Sequence, residues 1–311
     1  MGSLFGPLTD VAGDAGHGHD GEHPPRMGFF TDTSVCIGCK ACEVACKEWN
    51  DVPDDGYLLT GMSYDNTQEL GASTWRHVAF VEKPVTTTDL GLPGMGPPGW
   101  DGYDSGVPSG DEGADQATAS GDGGVRWLMS SDVCKHCTHA ACLDVCPTGS
   151  LFRTEFGTVV VQPDICNGCG YCVPACPYGV IDIRKEDGRA FKCTLCYDRL
   201  KDGETPACAK ACPTESIQYG EVSELRQRAD RRLAELHEKG VDVARLYGRD
   251  PDDGVGGDGA FFLLLDEPEV YGLPPDPVVT TRDLGSMWRN VGAAALALAG
   301  LGVASFVGRR S

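Results

Sequence analysis

Alternation of apolar and polar residues predicts a chain of short strands. The strands are expected at residues 74–83 (TWRHVAFVEK), at 126–133 (RWLMSSDV), directly before Cys134, and at 260–267 (AFFLLLDE). In the first strand, Val78, Phe80 and Trp75 are the candidates to face the interior. The unbroken apolar run in the last strand is typical of a buried position.

Turn residues between apolar segments predict two hairpins. The segment 148–165 (TGSLFRTEFGTVVVQPDI) is expected to turn near Gly157. The segment 178–193 (YGVIDIRKEDGRAFKC) is expected to turn at Asp187-Gly188. Residues 250–259 and 271–279 (YGLPPDPVV) are expected to form a loop and an extended segment.

Helical spacing predicts two helices in the body of the protein. Residues 42–49 form a short helix that ends at Asn50-Asp51. Residues 221–239 form an amphipathic helix that ends before Gly240. Its predicted buried face consists of Val222, Leu225, Ala229, Leu233 and Leu236.

The last apolar segment, residues 291–308, contains no charged residue. Eighteen helical residues span roughly 27 Å, near the minimum for a bilayer core. Small residues suit close helix packing in a membrane. We interpret residues 281–311 as a membrane anchor, with a soluble helix that docks on a partner as the alternative. Arg309 and Arg310 favour a cytoplasmic end, although arginines also flank the other end.

The N-terminal residues 1–26 show no hydrophobic periodicity. They are rich in Gly, Asp and His, with histidines at 17, 19 and 23. This composition predicts a disordered tail, and a metal-binding tract is the alternative. The segment lacks the basic and apolar regions of a secretory signal and contains no twin arginine.

Residues 84–125 also differ from the rest of the sequence. They hold eleven Gly, five Pro and seven acidic residues, and no Lys or Arg. Too little apolar surface is available there to offset the entropy lost on ordering. We expect a solvated insertion; a recognition loop, with local docking of Trp100 and Tyr103, is the alternative.

Length and charge exclude some functional classes. The chain has 311 residues, which allows two small domains with appendages. Its formal net charge is −20, and no basic stripe is present. A nucleic-acid partner is therefore not expected.

Sixteen cysteines give the protein its candidate chemistry. They form four groups with Cys-x2-Cys cores: Cys36, Cys39, Cys42 and Cys46; Cys134, Cys137, Cys142 and Cys146; Cys166, Cys169, Cys172 and Cys176; and Cys193, Cys196, Cys208 and Cys212. Such spacing is typical of metal ligands rather than of a disulfide framework. Metal-binding thiols must be reduced, so we expect assembly in the cytosol.

The third group, followed by Pro177, has the C-x2-C-x2-C-x3-C-P spacing of a [4Fe–4S] ligand run. A structural zinc site is the alternative for any single Cys-x2-Cys. Four groups with three close ligands and an outlying fourth favour four [4Fe–4S] clusters. In two-cluster ferredoxins the fourth cysteine ligates the other cluster, but connector lengths here leave the pairing of groups open.

Several motifs resemble those of the iron–sulfur beta subunit of membrane-bound respiratory formate dehydrogenase. They are CIGCKACEVACKEWND (36–51), FKCTLCYDR (191–199), PACAKACPT (206–214), GVGGDG (254–259) and YGLPPDP (271–277). The resemblance covers about residues 27–83 and 126–308 and includes the family's single C-terminal anchor helix. The insertion 84–125 and the short end after the anchor depart from the family pattern.

The resemblance implies a nested pairing of the first group with the fourth and of the second with the third. The implied ligands are Cys36, Cys39, Cys42 and Cys212 for cluster A; Cys193, Cys196, Cys208 and Cys46 for cluster B; Cys134, Cys137, Cys142 and Cys176 for cluster C; and Cys166, Cys169, Cys172 and Cys146 for cluster D. All sixteen positions are cysteine, so no three-iron cluster is expected.

The resemblance also implies a function. The protein would relay electrons from a molybdenum- or tungsten-pterin subunit that oxidises formate to a membrane cytochrome b and quinone. It has no P-loop, dinucleotide fingerprint or nucleophile–base constellation, so we expect no catalysis by the subunit alone. The family's export with a twin-arginine partner implies a body on the extracytoplasmic side.

Three alternative functions remain open at this point. The same relay serves dimethyl sulfoxide, polysulfide and nitrate reductases and hydrogenases. A free-standing polyferredoxin would be soluble and monomeric. A zinc scaffold is the third alternative.

We therefore predict an α+β fold with two nested ferredoxin-like two-cluster modules, short hairpins and helices, and a C-terminal transmembrane helix. Its parts are the tail 1–26, the first cluster half 27–83, the insertion 84–125, the inner two-cluster module 126–189, the fourth cysteine group 190–220 that pairs with the first half, the capping segment 221–280 and the anchor 281–311.

Four side chains near the cysteines are candidates to tune the clusters. His136 is a candidate donor to a sulfur, with a packing role as the alternative. Lys192, Arg199 and Lys201 place positive charge around the fourth group, which would favour reduced clusters; solvated surface charge is the alternative.

Overall fold

The computed structural model describes residues 25–54, 56, 64–65, 67–84 and 125–308. Apart from residues 25–26, 84 and 125, the tail 1–26 and the insertion 84–125 lie outside the described residues. The three histidines of the tail and Trp100 and Tyr103 of the insertion therefore also lie outside them. The strands are β1 (Met27–Asp32), β2 (Arg76–Pro84), β3 (Val125–Val133), β4 (Leu151–Arg153), β5 (Val159–Val161), β6 (Asp182–Ile183), β7 (Ala190–Phe191), β8 (Ile217–Glu221), β9 (Arg245–Tyr247) and β10 (Ala260–Leu264). The helices are α1 (Ala41–Asn50), α2 (Ala141–Asp144), α3 (Cys172–Ala175), α4 (Tyr197–Lys201), α5 (Ala207–Lys210), α6 (Val222–Glu238) and α7 (Leu284–Gly308).

A four-stranded sheet with the order β8-β1-β10-β9 joins the two ends of the body. Strand β1 pairs in parallel with β10 and antiparallel with β8. Because side chains alternate along a strand, Phe29 and Phe262 point to one face and Phe30 and Phe261 to the other. All four rings are fully buried, which stabilises the sheet by roughly 1.5–3 kcal/mol per ring.

The two faces of this sheet have different coverings. Helix α6 covers the Phe30 face with the predicted apolar stripe, of which Leu225 and Ala229 are fully buried and Leu233 is partly buried. Gly240, with φ +80°, follows the helix end as predicted. The Phe29 face packs against the cysteine-bearing body, in a core that includes Cys42, Cys134, Cys193 and Cys208.

Strands β2 and β3 form a two-stranded antiparallel ribbon. Its register runs from Arg76 opposite Val133 to Pro84 opposite Val125. The insertion 84–125 therefore begins and ends at two residues, Pro84 and Val125, that are paired in the ribbon. Val78 is buried as predicted, and Trp75 and Phe80 pack against the same core while partly exposed.

The two predicted hairpins and the first helix are confirmed. Strands β4 and β5 form one hairpin and β6 and β7 the other. Gly157 and Gly188 both adopt φ +72° at the turns. Helix α1 extends the predicted 42–49 segment by one residue at each end.

The glycine-rich loop 254–259 crosses the second cysteine group. The Thr138 amide donates to the Gly257 carbonyl at 3.0 Å, and the His139 amide donates to the Val255 carbonyl at 2.8 Å. A Cβ on Gly254 would lie 2.1 Å from the Pro277 carbonyl oxygen, so the proline-rich segment requires glycine there. The segment predicted as extended begins at Tyr271, the end of a 3₁₀ turn, and otherwise has no regular structure.

Helix α7 contains the apolar segment 291–308 from which a membrane anchor was predicted. It is long and apolar enough to cross a membrane, and no part of that span is buried in the body. The helix begins at Leu284, seven residues before the apolar run, because the intervening residues continue the helix without being uniformly apolar. Just before it, Thr281 donates to Asp144 of α2 at 2.5 Å, and Arg282 donates to the Asp253 carbonyl at 2.5 Å.

We expect Gly28→Ala to destabilise the fold by about 2–3 kcal/mol. A Cβ on Gly28 would lie 2.0 Å from the Gly259 carbonyl oxygen, and backbone cannot move as a side chain does. The matched control is Gly220→Ala, in the residue paired with Gly28 on β8, where the nearest atom is a Leu225 methyl 3.7 Å away. Thermal unfolding followed by circular dichroism compares the two variants; equal losses would contradict the close approach of β1 to residue 259.

Candidate iron-sulfur centres

Local structure is repeated in all four cysteine groups. The third cysteine of each group lies in the first two residues of a helix: Cys42 in α1, Cys142 in α2, Cys172 in α3 and Cys208 in α5. The fourth cysteine follows four residues later in every case. All sixteen are free of disulfides. Each group of four therefore presents two thiols from a loop and two from a short helix or the residues directly after it.

The last cysteine of the fourth group lies beside the first group. One cavity is lined by Cys36, Cys39, Cys42 and Cys212. The last cysteine of the third group is likewise placed beside the second. A separate cavity is lined by Cys134, Cys137, Cys142 and Cys176.

The remaining eight cysteines form two further sets. The Asn50 amide lies 3.7 Å from the Cys46 sulfur and 3.8 Å from the Cys196 sulfur, so these two thiols share one donor. Burial raises the pKa of Cys46, and the nearby Cys193 and Cys208 sulfurs raise it further. Cys46, at the end of the first group, thus lies among cysteines of the fourth.

The other set is centred on Cys172. Burial raises the pKa of Cys172 to about 11, and the neighbouring Cys166, Cys169 and Cys146 add to the rise. Cys146 accepts hydrogen bonds from the amides of Thr148, Ser150 and Leu151, and these bonds hold its pKa below the usual value although burial opposes them. The amide of Ala190 donates to the Cys166 sulfur at 3.4 Å.

Contacts between sets give them a linear order. The Cys208 sulfur lies close enough to Cys42 of the first set to disfavour its ionisation. Cys134 acts on Cys193 in the same way, and Cys172 acts on Cys142. The order along the body is therefore the set with Cys42, the set with Cys208, the set with Cys134 and the set with Cys172.

A buried arginine lies at the first of these junctions. Arg76, 2% exposed, donates to the Cys208 sulfur at 3.2 Å and to the Ser131 hydroxyl at 3.3 Å. That hydroxyl lies 3.2 Å from the Cys42 sulfur. Burial raises the pKa of Cys42 to about 11, while Arg76 and Ser131 oppose the rise. The guanidinium also stacks on Phe29, with 4.9 Å between its carbon and the ring centre.

A buried lysine lies at the second junction. Lys192, 1% exposed, donates to the Cys134 sulfur at 3.5 Å, to the Cys193 carbonyl at 3.1 Å and to the Val159 carbonyl. Burial lowers the pKa of Lys192, but nearby cysteine sulfurs outweigh it and raise the pKa above its ordinary value. Sequence analysis assigned Lys192 to the surroundings of the fourth cysteine group. In the structure Lys192 also contacts Cys134 of the second group.

The other predicted tuning residues differ from Lys192. Arg199 is buried, but it forms an ion pair with Glu204 at 2.7 Å and stacks on Trp49. Lys201 is exposed, with its ammonium 4.7 Å from the Tyr197 ring. Solvated surface charge, the alternative interpretation, describes Lys201 alone.

His136 is buried beside the cavity that contains Cys134. Its Nδ1 accepts from the Val159 amide at 3.1 Å, which leaves the proton on Nε2. Nε2 has no protein partner among the described residues. Burial lowers the pKa of His136 well below its usual value, and Lys192 and Arg26 lower it further, so the ring is neutral.

The aspartate of the GVGGDG motif packs against the same set. Asp258 is fully buried and accepts from the Tyr178 hydroxyl at 2.9 Å. Burial raises the pKa of Asp258 to about 8, while Tyr178 and Lys135 oppose the rise. This motif thus supplies a buried polar contact between loop 254–259 and the residue two positions after Cys176.

The four sets fit clusters better than single ions. Tetrahedral zinc requires thiolates about 2.3 Å from one centre. Among the described residues, no three His, Cys, Asp or Glu side chains come close enough to hold one ion. A four-iron cubane keeps its ligands farther apart, around a cavity, and it needs amide or cationic donors to the sulfurs, which are present here.

Among the residues that contact the sulfurs, sequence analysis did not find Arg76, Ser131 and Asn50. Arg76 had a detectable signal, since it shares the inward-facing parity of Val78 in β2 although it is charged. Ser131 and Asn50 carry no such signal. Their partners lie 89 and 146 residues away in the sequence.

Comparison with known proteins supports this chemistry. Two families described as 4Fe-4S dicluster domains match the chain, one over residues 125–222 and the other over residues 35–150. The nitrate-inducible formate dehydrogenase iron–sulfur subunit of Escherichia coli (strain K12) is 36% identical over 291 residues, which cover 92% of this chain and 84% of that protein.

Two further relatives show how far the similarity extends. The formate dehydrogenase iron–sulfur subunit of Haemophilus influenzae is 37% identical over 290 residues, covering 91% of this chain and 80% of that protein. One polypeptide of the anaerobic dimethyl sulfoxide reductase of Escherichia coli (strain K12) is 32% identical over 203 residues, covering 65% of this chain and 77% of that protein.

Proposed function

Because the chain belongs to the family of formate dehydrogenase iron–sulfur subunits, we propose that it relays electrons from a molybdenum- or tungsten-pterin catalytic subunit to a membrane cytochrome b. One observation carries the proposal: sixteen cysteines lie in four adjacent sets of four. When bound, four [4Fe–4S] clusters supply one-electron transfer between partners, and the subunit itself performs no catalysis.

The ligand sets of the proposed clusters follow the nested pairing. Cavities shared by Cys212 with the first group and by Cys176 with the second support clusters A and C. The neighbours of Cys46 and Cys172 support clusters B and D. The chain thereby forms two nested two-cluster modules, an inner one and an outer one.

The contacts between sets support the order A, B, C, D. The terminal sets each include an exposed cysteine, Cys39 in A and Cys169 in D. Exposed apolar residues adjoin both, with Ile37 58% exposed and Tyr171 62% exposed. Protein partners that exchange electrons would approach these two ends.

The position of α7 indicates which end faces the membrane. The residues that lead into it bond to Asp144, which lies between Cys142 and Cys146, and to the loop that crosses the second cysteine group. Sets C and D are therefore tied to the helix. Cluster D would serve the cytochrome and cluster A the pterin subunit, with the body on the extracytoplasmic side.

The alternative function, electron relay in another pterin reductase, is favoured by the similarity to the dimethyl sulfoxide reductase polypeptide. Its match covers 65% of this chain, whereas the formate dehydrogenase matches cover 92% and 91%. The wider coverage favours formate dehydrogenase. The absence of a close-set ligand cage among the described residues favours clusters over a zinc scaffold.

Purification of the native complex tests this function. We expect about sixteen irons per subunit, four for each of four clusters, and a co-purifying large subunit that reduces a dye with formate. Iron is measured by inductively coupled plasma spectrometry and dye reduction by absorbance. Dye reduction with another electron donor but not with formate would indicate that the protein serves a different pterin enzyme. Zinc in place of iron would contradict the proposed electron relay.

Cys46→Ser tests the nested assignment. Because Cys46 lies among Cys193, Cys196 and Cys208, we expect the substitution to change the EPR signal of cluster B and to leave cluster A intact. The matched variant is Cys42→Ser, four residues earlier, which should change cluster A. An altered cluster A in the Cys46 variant, with cluster B unchanged, would contradict the assignment.

Helix α7 is expected to hold the protein in the membrane. We expect the full-length protein to remain with membranes after a carbonate wash and a variant ending at residue 283 to lose that attachment. Immunoblotting of membrane and soluble fractions measures the distribution. Release of the full-length protein by the wash would favour a helix that docks on a soluble partner, or a free-standing polyferredoxin.

A further inference from the structure

Two buried cations lie at successive junctions between cysteine sets. Arg76 bonds directly to the Cys208 sulfur and, through the Ser131 hydroxyl, contacts the Cys42 sulfur. Lys192 bonds to the Cys134 sulfur and lies beside Cys193. Each cation thus contacts one set directly and lies within electrostatic reach of the next.

The cysteine sulfurs are the counter-charges of both cations. Neither Arg76 nor Lys192 forms an ion pair with a carboxylate in the part of the chain that the structure describes. Their other partners are neutral: the Ser131 hydroxyl and carbonyl for Arg76, and the Val159 and Cys193 carbonyls for Lys192. Burying a cation is costly without a paired negative charge, so both residues require the charge of the metal centres.

We propose that Arg76 and Lys192 set the reduction potentials of three of the four clusters, Arg76 those of A and B and Lys192 those of B and C. The proposal rests on the ligand sets of the proposed function. Reduction adds one negative charge to a cluster, and a fixed cation in a water-excluded site stabilises the reduced form. Cluster B lies between both cations and is the one cluster that responds to each.

Exposed cations near the same sets are not equivalent. Lys201 follows Cys196 by five residues, yet its side chain is exposed. Water and salt screen an exposed charge far more than a buried one. Lys201→Gln is therefore the matched control: it removes the same charge from the fourth group without removing a contact to sulfur.

The experiment is an EPR-monitored redox titration of the assembled complex, with mediators and dithionite as reductant. We expect Arg76→Gln to lower the midpoints of clusters A and B, and Lys192→Gln to lower those of B and C. At the wild-type midpoint of cluster B, each substitution should raise the ratio of oxidised to reduced cluster at least tenfold, about 59 mV for one electron. Lys201→Gln should leave all four midpoints unchanged.

Assignment of the signals uses the Cys46→Ser variant, which marks cluster B. Unchanged midpoints in Arg76→Gln and Lys192→Gln, at full iron content, would overturn the proposal. An equal shift in Lys201→Gln would also overturn it, because the effect would then be one of overall charge. Because dithionite reduces the clusters directly, the midpoints can be measured even if the complex does not oxidise formate. Failure of this proposal can therefore be distinguished from failure of the proposed function.

A smaller substitution covers the case in which Arg76→Gln does not assemble. Ser131→Ala removes the hydroxyl between Arg76 and Cys42 but retains the guanidinium and its bond to Cys208. We expect a lower midpoint for cluster A and an unchanged one for cluster B. An unchanged cluster A would overturn the contribution of the hydroxyl bridge between Arg76 and Cys42. Arg76→Lys and Lys192→Arg, which keep the charge, should hold the midpoint of cluster B nearer to wild type than the Gln variants do.

Discussion

The negative charge of sixteen clustered cysteine sulfurs is the constraint on which the rest of the structure depends. Burial and the repulsion of neighbouring sulfurs raise the pKa of Cys142 and of Cys193 to about 12. As ligands the sulfurs must nevertheless be ionised, so positive iron, buried cations and amide donors have to compensate them. Because the compensated arrangement requires the folded protein, we expect metal loading to stabilise the body. Although the net charge of the protein is −20, Arg76 and Lys192 are buried beside the sulfurs.

Cysteines from groups that are distant in the sequence lie side by side in the fold. Cys36 and Cys212 line one cavity, and β1 pairs with β10 beside it, so both ends of the body meet at the same sheet. The ribbon β2–β3 then explains how the family pattern accommodates residues 84–125. Because Pro84 and Val125 are paired, a long connection between them closes a loop whose entropy grows only slowly with length. The ends of the insertion are fixed by strand pairing whatever its composition.

Features that depend on local sequence were predicted well, and contacts between distant segments were not. The turns at Gly157 and Gly188 and the face of α6 follow from local turn chemistry and periodicity, and all are confirmed. Helix α7 lies within the predicted segment 281–311 and begins before the purely apolar run, because its first turns mix polar and apolar residues. Fold class was predicted as far as ferredoxin-type cluster domains, while the nested pairing of cysteines came from resemblance and stays a prediction. Arg76 was missed since its role depends on Ser131 and Cys208, which strand register and helix packing bring together.

The segment after β10 is joined to the cysteine body by a series of hydrogen bonds before α7 begins. Its Val279 amide donates to the Gly254 carbonyl at 3.1 Å, and Thr281 and Arg282 bond to Asp144 and to the Asp253 carbonyl before α7 begins. Loop 254–259 in turn hydrogen-bonds to the backbone beside Cys137. The root of α7 is therefore positioned by the same contacts that position the second cysteine group. In the proposed relay, a fixed separation between the second cysteine group and α7 would favour electron transfer to a membrane partner. The GVGGDG and YGLPPDP motifs carry no metal ligand, and their contacts link the second cysteine group to the segment that leads into α7.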